Sequence, residues 1–401
     1  MEPTKPPVRA LRPEDFEVPR PVYAVWELTL RCDQPCEHCG SRAGPTRARE
    51  LSTAEAVEVA SALGRLGCRE IVLIGGEAYL RPDLHEIVRA LAASGMRVTM
   101  QTGGRAMTEE RARALRKAGL SALGVSIDGP AIIHDRLRGN LGSHTAALRA
   151  MDAAKVAGLA VSANTQINRL NHERLPETAA EIRAHGAISW QVQLTVPMGR
   201  AADRPEWILE PYQIVGVIDA LAQIQLDAAK EAPSGPVFNV VLGNNVGYFG
   251  PHEQILRSRP GGPDGHWQGC RAGLQVIGIE SDGTVKGCPS LPTKPYAGGN
   301  VRDLSLSVLW ERSPEVGFAR DRTSSEPWGH CKTCYYAEEC LGGCSWTAHA
   351  TLGRRGNNPF CYHRATELRK KGLRERLTRK LAPPGDPYDL GLFEIVEEPV
   401  E

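Results

Sequence analysis

Strand-like and helix-like segments alternate through the first half of the chain, and this alternation most limits the folds open to it. Six strand-like segments, each followed by a helix-like segment, occupy roughly 200 residues. Such alternation predicts a parallel sheet covered by helices, in an α/β fold. A partly closed barrel and a doubly wound sheet both fit, and in either one chemistry gathers at the carboxyl ends of the strands. The predicted strands are Val22–Arg31, Glu70–Ile74, Arg97–Thr102, Ala122–Asp128, Ala160–Asn168 and Ile188–Pro197.

The composition changes after residue 230, where glycine, proline and asparagine become dense and the alternation stops. This change predicts a second, smaller domain braced by metal. The predicted divisions are a flexible arm at 1–21, the strand–helix domain at 22–230, a linker at 231–269, a cysteine-rich domain at 270–364 and a basic helix with an acidic tail at 365–401.

Charge and hydropathy exclude several classes of protein. The 401 residues carry 48 basic and 47 acidic side chains, and this near balance argues against a nucleic-acid binder. No run of 18 apolar residues is present, so no membrane span is predicted. The polar, proline-rich N-terminus lacks the apolar stretch of a signal peptide, which favours a cytoplasmic location.

Eleven cysteines are unusual for such a chain, and clustered cysteines in a cytosolic protein favour metal binding or redox chemistry. Three of them, Cys32, Cys36 and Cys39, form a C-x3-C-x2-C motif directly after the first predicted strand. A structural zinc site would need a fourth ligand, for which His38 is a candidate. An iron–sulfur cubane held by three cysteines would instead leave one iron open.

Seven further cysteines lie in the second domain, and they again indicate metal. They are Cys270, Cys288, Cys331, Cys334, Cys340, Cys344 and Cys361. Two structural zinc sites that use these thiols and a histidine such as His330 or His363 are the alternative to iron–sulfur clusters. Cys68 belongs to neither group and is predicted to be a buried structural thiol.

Together with Gly75-Gly76-Glu77 after the second strand, the three-cysteine motif resembles the radical S-adenosylmethionine (SAM) superfamily. The resemblance implies a partial (β/α)6 TIM-like barrel and a [4Fe–4S] cluster on Cys32, Cys36 and Cys39, with SAM on the fourth iron. It assigns Gly75, Gly76 and Glu77 to the SAM amino group. Glycines permit close approach of the backbone to a ligand, and a carboxylate pairs with an ammonium.

Further segments match the same family. The fourth strand carries Val125-Ser-Ile-Asp-Gly129, followed by His134-Asp135 and Arg138-Gly139. The resemblance implies that Ser126 contacts the SAM ribose and that the backbone near Leu194 contacts adenine. Gln166 and Asn168 on the fifth strand are candidates for facing the cofactor or the substrate, or are simply polar residues that close a strand.

The seven-cysteine region is similar to the SPASM extension of many radical SAM enzymes, a small Cys-rich domain that binds two auxiliary [4Fe–4S] clusters. The resemblance divides the ligands into Cys331, Cys334, Cys340 and Cys361 for one cluster, and Cys270, Cys288 and Cys344 for the other. The second set has three cysteines, which implies an open iron or a ligand other than cysteine. Pro289 stands where sulfatase-activating relatives carry aspartate, so that activity is not expected.

The resemblance implies three [4Fe–4S] clusters, SAM, an electron donor such as flavodoxin or ferredoxin, and a 5′-deoxyadenosyl radical that abstracts hydrogen from a substrate C–H bond. The expected substrate is a ribosomally made precursor peptide, which the enzyme would modify oxidatively, most simply by crosslinking. About 21 residues precede the first strand, so peptide recognition is expected to use the barrel, the C-terminal tail or a separate leader-binding protein.

Two other functions remain open from the sequence. One is a SPASM dehydrogenase that acts on a small molecule or a folded protein, and the other is a zinc-braced binding or scaffold protein. No catalytic residue is identified beyond the cofactor ligands. Within the predicted linker, Asn244, Asn245 and Tyr248 are hypothesised to shape the substrate pocket, with a plain connecting loop as the alternative.

Overall fold

One continuous sheet runs through both predicted domains. The computed structural model describes residues 11–232, 237–258 and 265–400. The strands are β1 (Tyr23–Glu27), β2 (Glu70–Ile74), β3 (Arg97–Thr102), β4 (Leu120–Ser126), β5 (Ala160–Ile167), β6 (Ser189–Leu194), β7 (Asn239–Leu242), β8 (Val276–Ile279), β9 (Thr284–Lys286), β10 (Ala297–Asn300), β11 (Leu373–Leu381) and β12 (Leu392–Pro399).

Helices follow most of the parallel strands, and short helices of one or two turns fill the second domain. The helices are α1 (Glu14–Glu17), α2 (Thr53–Arg65), α3 (Leu84–Ala93), α4 (Glu109–Ala118), α5 (Ala131–Arg138), α6 (Ser143–Val156), α7 (Leu175–Ala184), α8 (Ile214–Glu231), α9 (Glu253–Arg257), α10 (Thr293–Tyr296), α11 (Leu306–Arg312), α12 (Ala337–Cys340), α13 (Ser345–Leu352) and α14 (Tyr362–Lys370).

The sheet has the order β10-β9-β8-β1-β2-β3-β4-β5-β6-β7. From β8 to β7 every neighbouring pair is parallel, while β9 and β10 continue one edge as antiparallel strands. All six predicted strands are present, and the expected α/β fold with a mostly parallel sheet is confirmed. Parallel order brings the carboxyl ends of the strands to one rim.

Side chains along β5 and β6 alternate between the outer core and the inner face of the sheet. On β6, Trp190 and Val192 are buried beneath the covering helices, while Gln191 and Gln193 turn to the inside. This period of two is the pattern expected of strands that separate a packed core from a lined cavity. The sequence pattern therefore determines which side chains face the site.

Two strands outside the predicted barrel extend its sheet. Strand β7 lies within residues 231–269, which were predicted to be a linker, and it pairs in parallel with β6. Strand β8, the first strand of the cysteine-rich region, pairs in parallel with β1, with Val25 opposite Gly278. The cysteine-rich region therefore shares backbone hydrogen bonds with the first domain.

The C-terminal segment differs from the predicted helix and tail. Helix α14 ends at Lys370, and Gly372, with a φ of 71°, allows the chain to turn. The rest of the basic segment is strand β11, which pairs antiparallel with the acidic strand β12. Opposite charges face each other across the hairpin, as in the Arg374–Glu398 pair at 2.7 Å, and such cross-strand pairs favour a hairpin over a longer helix.

Part of the predicted N-terminal arm is packed against the body of the protein. Residues 1–10 lie outside the described residues, whereas α1 buries Asp15, which forms a salt bridge with Arg69. The Asp15 carbonyl also accepts a hydrogen bond from Gln275 at 2.9 Å. In the described ranges, no helix has the length and apolar character needed to cross a bilayer.

Candidate active site and cysteine clusters

A cavity of about 640 Å³ opens at the carboxyl rim of the sheet, within the size range of small-molecule and cofactor sites. Two of the three predicted cysteine sets line it together. These six residues are Cys32, Cys36, Cys39, Cys270, Cys288 and Cys344. The set predicted to hold the catalytic cluster and the three-cysteine set predicted to hold an auxiliary cluster therefore face one shared space.

The first set lies in the loop that follows β1. The Cys32 backbone N–H bonds to the Gly44 carbonyl at 2.9 Å, and the Cys39 N–H bonds to the Cys36 carbonyl at 3.3 Å, so the loop folds back on itself. Burial raises the pKa of the Cys32 thiol to about 12, and burial likewise raises that of Cys36 to about 11. Neighbouring thiols add to both shifts, because each would repel a second thiolate.

A buried ionic network lies beneath this loop. The Asp128 carboxylate is fully buried and contacts Arg138 Nη2 at 2.6 Å and His38 Nε2 at 3.3 Å. The other ring nitrogen of His38 lies 2.9 Å from the Leu137 carbonyl. Burial disfavours the ionised form of Asp128, but Arg138 and His38 hold the pKa of its carboxyl well below the usual range.

Both ring nitrogens of His38 are thus engaged away from the thiols, contrary to its candidacy as a fourth zinc ligand. Asp128 and Arg138 also line the cavity, although the sequence assigned neither of them a role. Their signal was present in the Asp128-Gly and Arg138-Gly segments that match the family.

Glu77 follows β2 and is fully buried at the rim. Its carboxylate accepts hydrogen bonds from the Thr102 hydroxyl and the Gly103 backbone N–H, both at 2.6 Å. Burial raises the pKa of Glu77 to about 7. A buried carboxylate in a cavity wall, without a salt bridge to any described residue, is suited to a cationic ligand.

Gly75 and Gly76 are required by the packing of the chain itself. A Cβ on Gly75 would overlap the Thr29 carbonyl oxygen, and a Cβ on Gly76 would overlap the backbone of Arg31. The expectation from the sequence was approach of the backbone to a cofactor. The structure shows an additional cause, because the end of β2 presses against the chain that leads into the cysteine loop.

The predicted cofactor residues separate into two groups. Ser126 and Gln166 line the large cavity. Asn168 instead uses its side chain in a turn, where its Oδ1 accepts the Leu170 N–H at 2.9 Å. The backbone of Leu194 is held by Asn245, whose amide bonds to both the Leu194 N–H and its carbonyl, at 3.2 and 2.9 Å. Neither Asn168 nor Leu194 lines the cavity.

Amide side chains form much of the inner wall of the cavity. Of these amides, only Gln166 was predicted from the sequence to face the cofactor or the substrate. These residues are Gln101, Asn164, Gln166, Gln191 and Gln193, from strands β3, β5 and β6. On the side of β1 and β2 the wall is apolar, with Val25, Val72 and Ile74. The cavity therefore combines a neutral hydrogen-bonding wall with an apolar wall.

The four-cysteine set surrounds a separate, smaller cavity. Cys331, Cys334, Cys340 and Cys361 line it, as predicted for one auxiliary cluster. Burial raises the pKa of Cys361 to about 12 and that of Cys331 to about 11. His330 and His363, the histidines of the zinc alternative, also line this cavity.

Tyr248 connects the two auxiliary sets. Its hydroxyl accepts hydrogen bonds from the Cys344 N–H at 3.1 Å and from Asn358 Nδ2 at 2.9 Å, and donates to the Asn244 carbonyl at 2.5 Å. Its side chain is 1% exposed and lies outside the large cavity. Of the three residues hypothesised to shape the substrate pocket, Asn244 and Asn245 line that cavity, whereas Tyr248 is buried outside it.

The arrangement of thiols fits iron–sulfur clusters. Among the described residues, no three His, Cys, Asp or Glu side chains converge closely enough to hold a single metal ion. The cysteines instead line two cavities, six on the larger and four on the smaller, and in a cubane each cysteine holds a different iron. Buried neighbouring thiols with raised pKa values lose their protons when metal binds, which is the usual linkage.

Comparison with known proteins divides the chain into the same two regions, the strand–helix domain and the cysteine-rich domain. Residues 26–182 match the Radical SAM superfamily, and residues 270–335 match SPASM, an iron–sulfur cluster-binding domain. The chain is 30% identical over 349 residues to the AdoMet-dependent heme synthase of Methanosarcina barkeri, covering 86% of this chain and 97% of that protein. It is 29% identical over 363 residues to the mycofactocin maturase MftC of Mycobacterium tuberculosis, covering 89% and 87%.

Solved structures share the fold. SuiB of Streptococcus suis bound to S-adenosylmethionine superposes with a TM-score of 0.64 at 15% identity, covering 83% of this chain and 75% of that one. SuiB has also been solved with its precursor peptide SuiA, and that structure gives a TM-score of 0.62 at 14% identity, covering 86% and 76%. At this identity the likeness concerns the fold alone.

Proposed function

Since this chain belongs to the radical SAM superfamily and carries a SPASM domain, we propose that it oxidatively modifies a ribosomally made peptide. The proposed ligands of the catalytic cluster are Cys32, Cys36 and Cys39, and those of two auxiliary clusters are the three-cysteine and four-cysteine sets described above. A flavodoxin- or ferredoxin-type protein is the proposed electron donor. Crosslinking of side chains is the simplest modification of this kind.

When bound, an iron–sulfur cluster and SAM would supply the difficult chemistry, which is reductive cleavage of SAM and hydrogen abstraction from the substrate. The protein chain itself binds and orients SAM and the substrate. The proposed role of Glu77 is to bind the SAM ammonium, and that of Ser126 is to contact the ribose. The apolar side of the cavity, with Val25 and Val72, excludes water from the reacting carbon. Holding the substrate C–H at reacting distance is the main contribution of the protein.

The amide wall is the observation that carries the peptide proposal. Gln191 and Gln193 face the cavity from β6 and are half-buried. Amides offer both a donor and an acceptor, which matches the repeating N–H and C=O groups of a peptide backbone. The described cationic residues of the lining are Arg138, which is paired with Asp128, and Arg271. A cavity that binds a substrate with several carboxylates would be expected to hold more cationic side chains.

A tetrapyrrole substrate is the second candidate. It is supported by the similarity to an AdoMet-dependent heme synthase along almost the whole length of that protein. Arg271 lies beside Cys270 and would be available to a substrate carboxylate at the cavity wall. This substrate would represent the small-molecule class left open by the sequence.

The metal content tests the enzyme proposal first. Protein purified without oxygen is expected to hold about twelve iron atoms per chain, if all three sets bind cubanes. Replacement of Cys32, Cys36 and Cys39 by alanine should abolish formation of 5′-deoxyadenosine and leave about eight iron atoms. Zinc in place of iron would contradict the enzymatic proposal and favour the scaffold alternative.

The substrate is tested by co-expression with a short reading frame encoded beside the gene. A mass loss of two hydrogens in the peptide supports the proposal, and turnover of an iron porphyrin with carboxylate side chains, but not of the peptide, would overturn it. Gln193→Leu should raise KM for the peptide by roughly tenfold, because a paired amide is lost. Gln225→Leu, which changes an amide that bonds to the backbone at Phe238 and Val240, is the matched control.

A further inference from the structure

The three sulfurs of the first cysteine set have unequal hydrogen-bond donors. Two donors are neutral and one is a guanidinium. The Gln34 N–H donates to Cys32 Sγ at 3.4 Å, and Arg138 Nη1 donates to Cys36 Sγ at 3.7 Å. The Ser41 hydroxyl lies 3.4 Å from Cys39 Sγ, to which it donates once that thiol has lost its proton. Cys36 is therefore electrostatically distinct from its two partners.

Arg138 is fixed in place by its surroundings. It is the last residue of α5, and its side chain is 11% exposed. Its Nη2 forms a salt bridge with Asp128 Oδ2 at 2.6 Å, while Asp128 Oδ1 accepts the Gln166 backbone N–H at 3.0 Å. A buried guanidinium held by a carboxylate keeps one orientation, which here directs its second amino group at Cys36.

Charge next to a cluster ligand changes the redox behaviour of the cluster. Reduction adds negative charge, and a cation or hydrogen-bond donor at a cysteine sulfur stabilises the reduced state. We propose that Arg138, acting through Cys36, raises the reduction potential of the catalytic cluster, and that Asp128 positions it for this role. Arg138 is thus a positioning residue for electron entry, and the inference rests on the ligand set of the proposed function.

The test is a reduction potential measured on the full chain. Holoenzyme is titrated under anaerobic conditions, and the reduced cluster is followed by electron paramagnetic resonance. The signal that changes on addition of SAM identifies the catalytic cluster. Arg138→Gln should move its midpoint to a more negative potential, and Arg138→Lys, which keeps the charge, should move it less.

A second variant separates electrostatics from structural damage. Asp128→Asn removes a negative charge near Cys36 but retains an acceptor for Arg138, so the midpoint should become more positive. Damage to the cysteine loop would move both variants in the same direction. Opposite shifts therefore support the inference, and shifts of one sign overturn it.

Arg200→Gln is the matched control. Arg200 donates to the Cys36 carbonyl at 2.6 Å and to the Ala43 carbonyl at 3.1 Å, so it supports the loop backbone without contacting a ligand sulfur. The midpoint of this variant should move less than that of Arg138→Gln, because the Arg200 guanidinium contacts backbone oxygens instead of a ligand sulfur. An unchanged midpoint in Arg138→Gln overturns the inference alone. A lack of any SAM-responsive signal in the unaltered protein overturns the proposed function as well.

Discussion

At the scale of single residues, the burial and hydrogen bonds of Glu77 suit the role proposed for it, binding of the SAM ammonium. Its two oxygens are occupied by the Thr102 hydroxyl and the Gly103 N–H, yet burial still raises the pKa of its carboxyl to about 7. In the unfolded chain the same carboxyl ionises near its ordinary value. The folded state therefore loses stability as the pH rises toward 7, and binding of an ammonium recovers it.

Glu77 consequently predicts a pH dependence of SAM affinity. Below pH 7 the carboxyl is protonated in the free protein, so affinity should fall by about tenfold for each further pH unit. Glu77→Gln should raise the Kd of SAM by roughly ten- to a hundredfold at pH 8 and remove this dependence. Calorimetric titration measures both, on protein with its clusters bound.

Glu70→Gln provides the comparison, because Glu70 is a buried carboxylate at the other end of β2, paired with Arg97 at 2.9 Å. It should lower stability without changing SAM affinity. Equal losses of affinity in the two variants would contradict the role given to Glu77.

The sequence identifies residues at the cavity where a motif is local, and it does not identify contacts made by distant parts of the chain. Glu77 and Ser126, whose contacts with SAM stay predictions, line the cavity. Leu194 does not, because Asn245, 51 residues later, binds its backbone. No feature of the β6 sequence itself indicates this contact with Asn245. The amide wall was also missed, because it becomes visible only when the inner faces of several strands are aligned.

At the scale of secondary-structure elements, the C-terminal hairpin shows how burial determines the contribution of an ion pair to stability. Arg364 on α14 and Glu375 on β11 lie 2.6 Å apart and are 4% and 3% exposed. Lys380 and Glu394 form a cross-strand pair at a similar distance, but they are 53% and 42% exposed. Water screens the second pair far more than the first.

The same substitution at the two glutamates should therefore have very different effects. Glu375→Leu leaves the Arg364 guanidinium buried without its carboxylate and should lower the free energy of unfolding by about 3–5 kcal/mol. Glu394→Leu should change it by less than about 1 kcal/mol. Chemical denaturation of both variants provides the measurement. Similar losses would show that the hairpin responds to hydrophobic packing instead of charge.

The hairpin was mispredicted as a helix for a physical reason. The residues of β11 are good helix formers, and their basic character resembles a solvated helix face. What overrides this propensity is pairing with β12, whose acidic residues lie about 20 positions further along the chain. Helices α2 and α4, by contrast, begin at local caps, because the Ser52 and Thr108 side chains accept backbone N–H groups three residues further along the chain.

At the scale of the whole molecule, the two domains that were predicted from the sequence form one connected structure. Strand β8 pairs with β1, and a buried charged group joins three parts of the chain. Glu27 on β1 bonds to Arg47 at 2.8 Å, to the Ser281 hydroxyl at 2.9 Å and to the Tyr388 hydroxyl. Lys286 lies 4.7 Å from the centre of the Tyr388 ring. Composition marked a boundary near residue 230, but the sheet crosses it.

This connectivity predicts that the barrel does not fold alone. A chain ended at residue 258 leaves β1 without its β8 partner and Glu27 without Ser281 and Tyr388, exposing a strand edge and an underpaired buried carboxylate. It should give little soluble protein and no sharp thermal transition by circular dichroism. The full chain with Cys331 and Cys334 replaced by alanine keeps every strand, so it should stay soluble and retain the iron of the catalytic set. A soluble, cooperatively melting fragment would show that the shared sheet is dispensable, and that the cysteine-rich region serves the chemistry without supporting the fold.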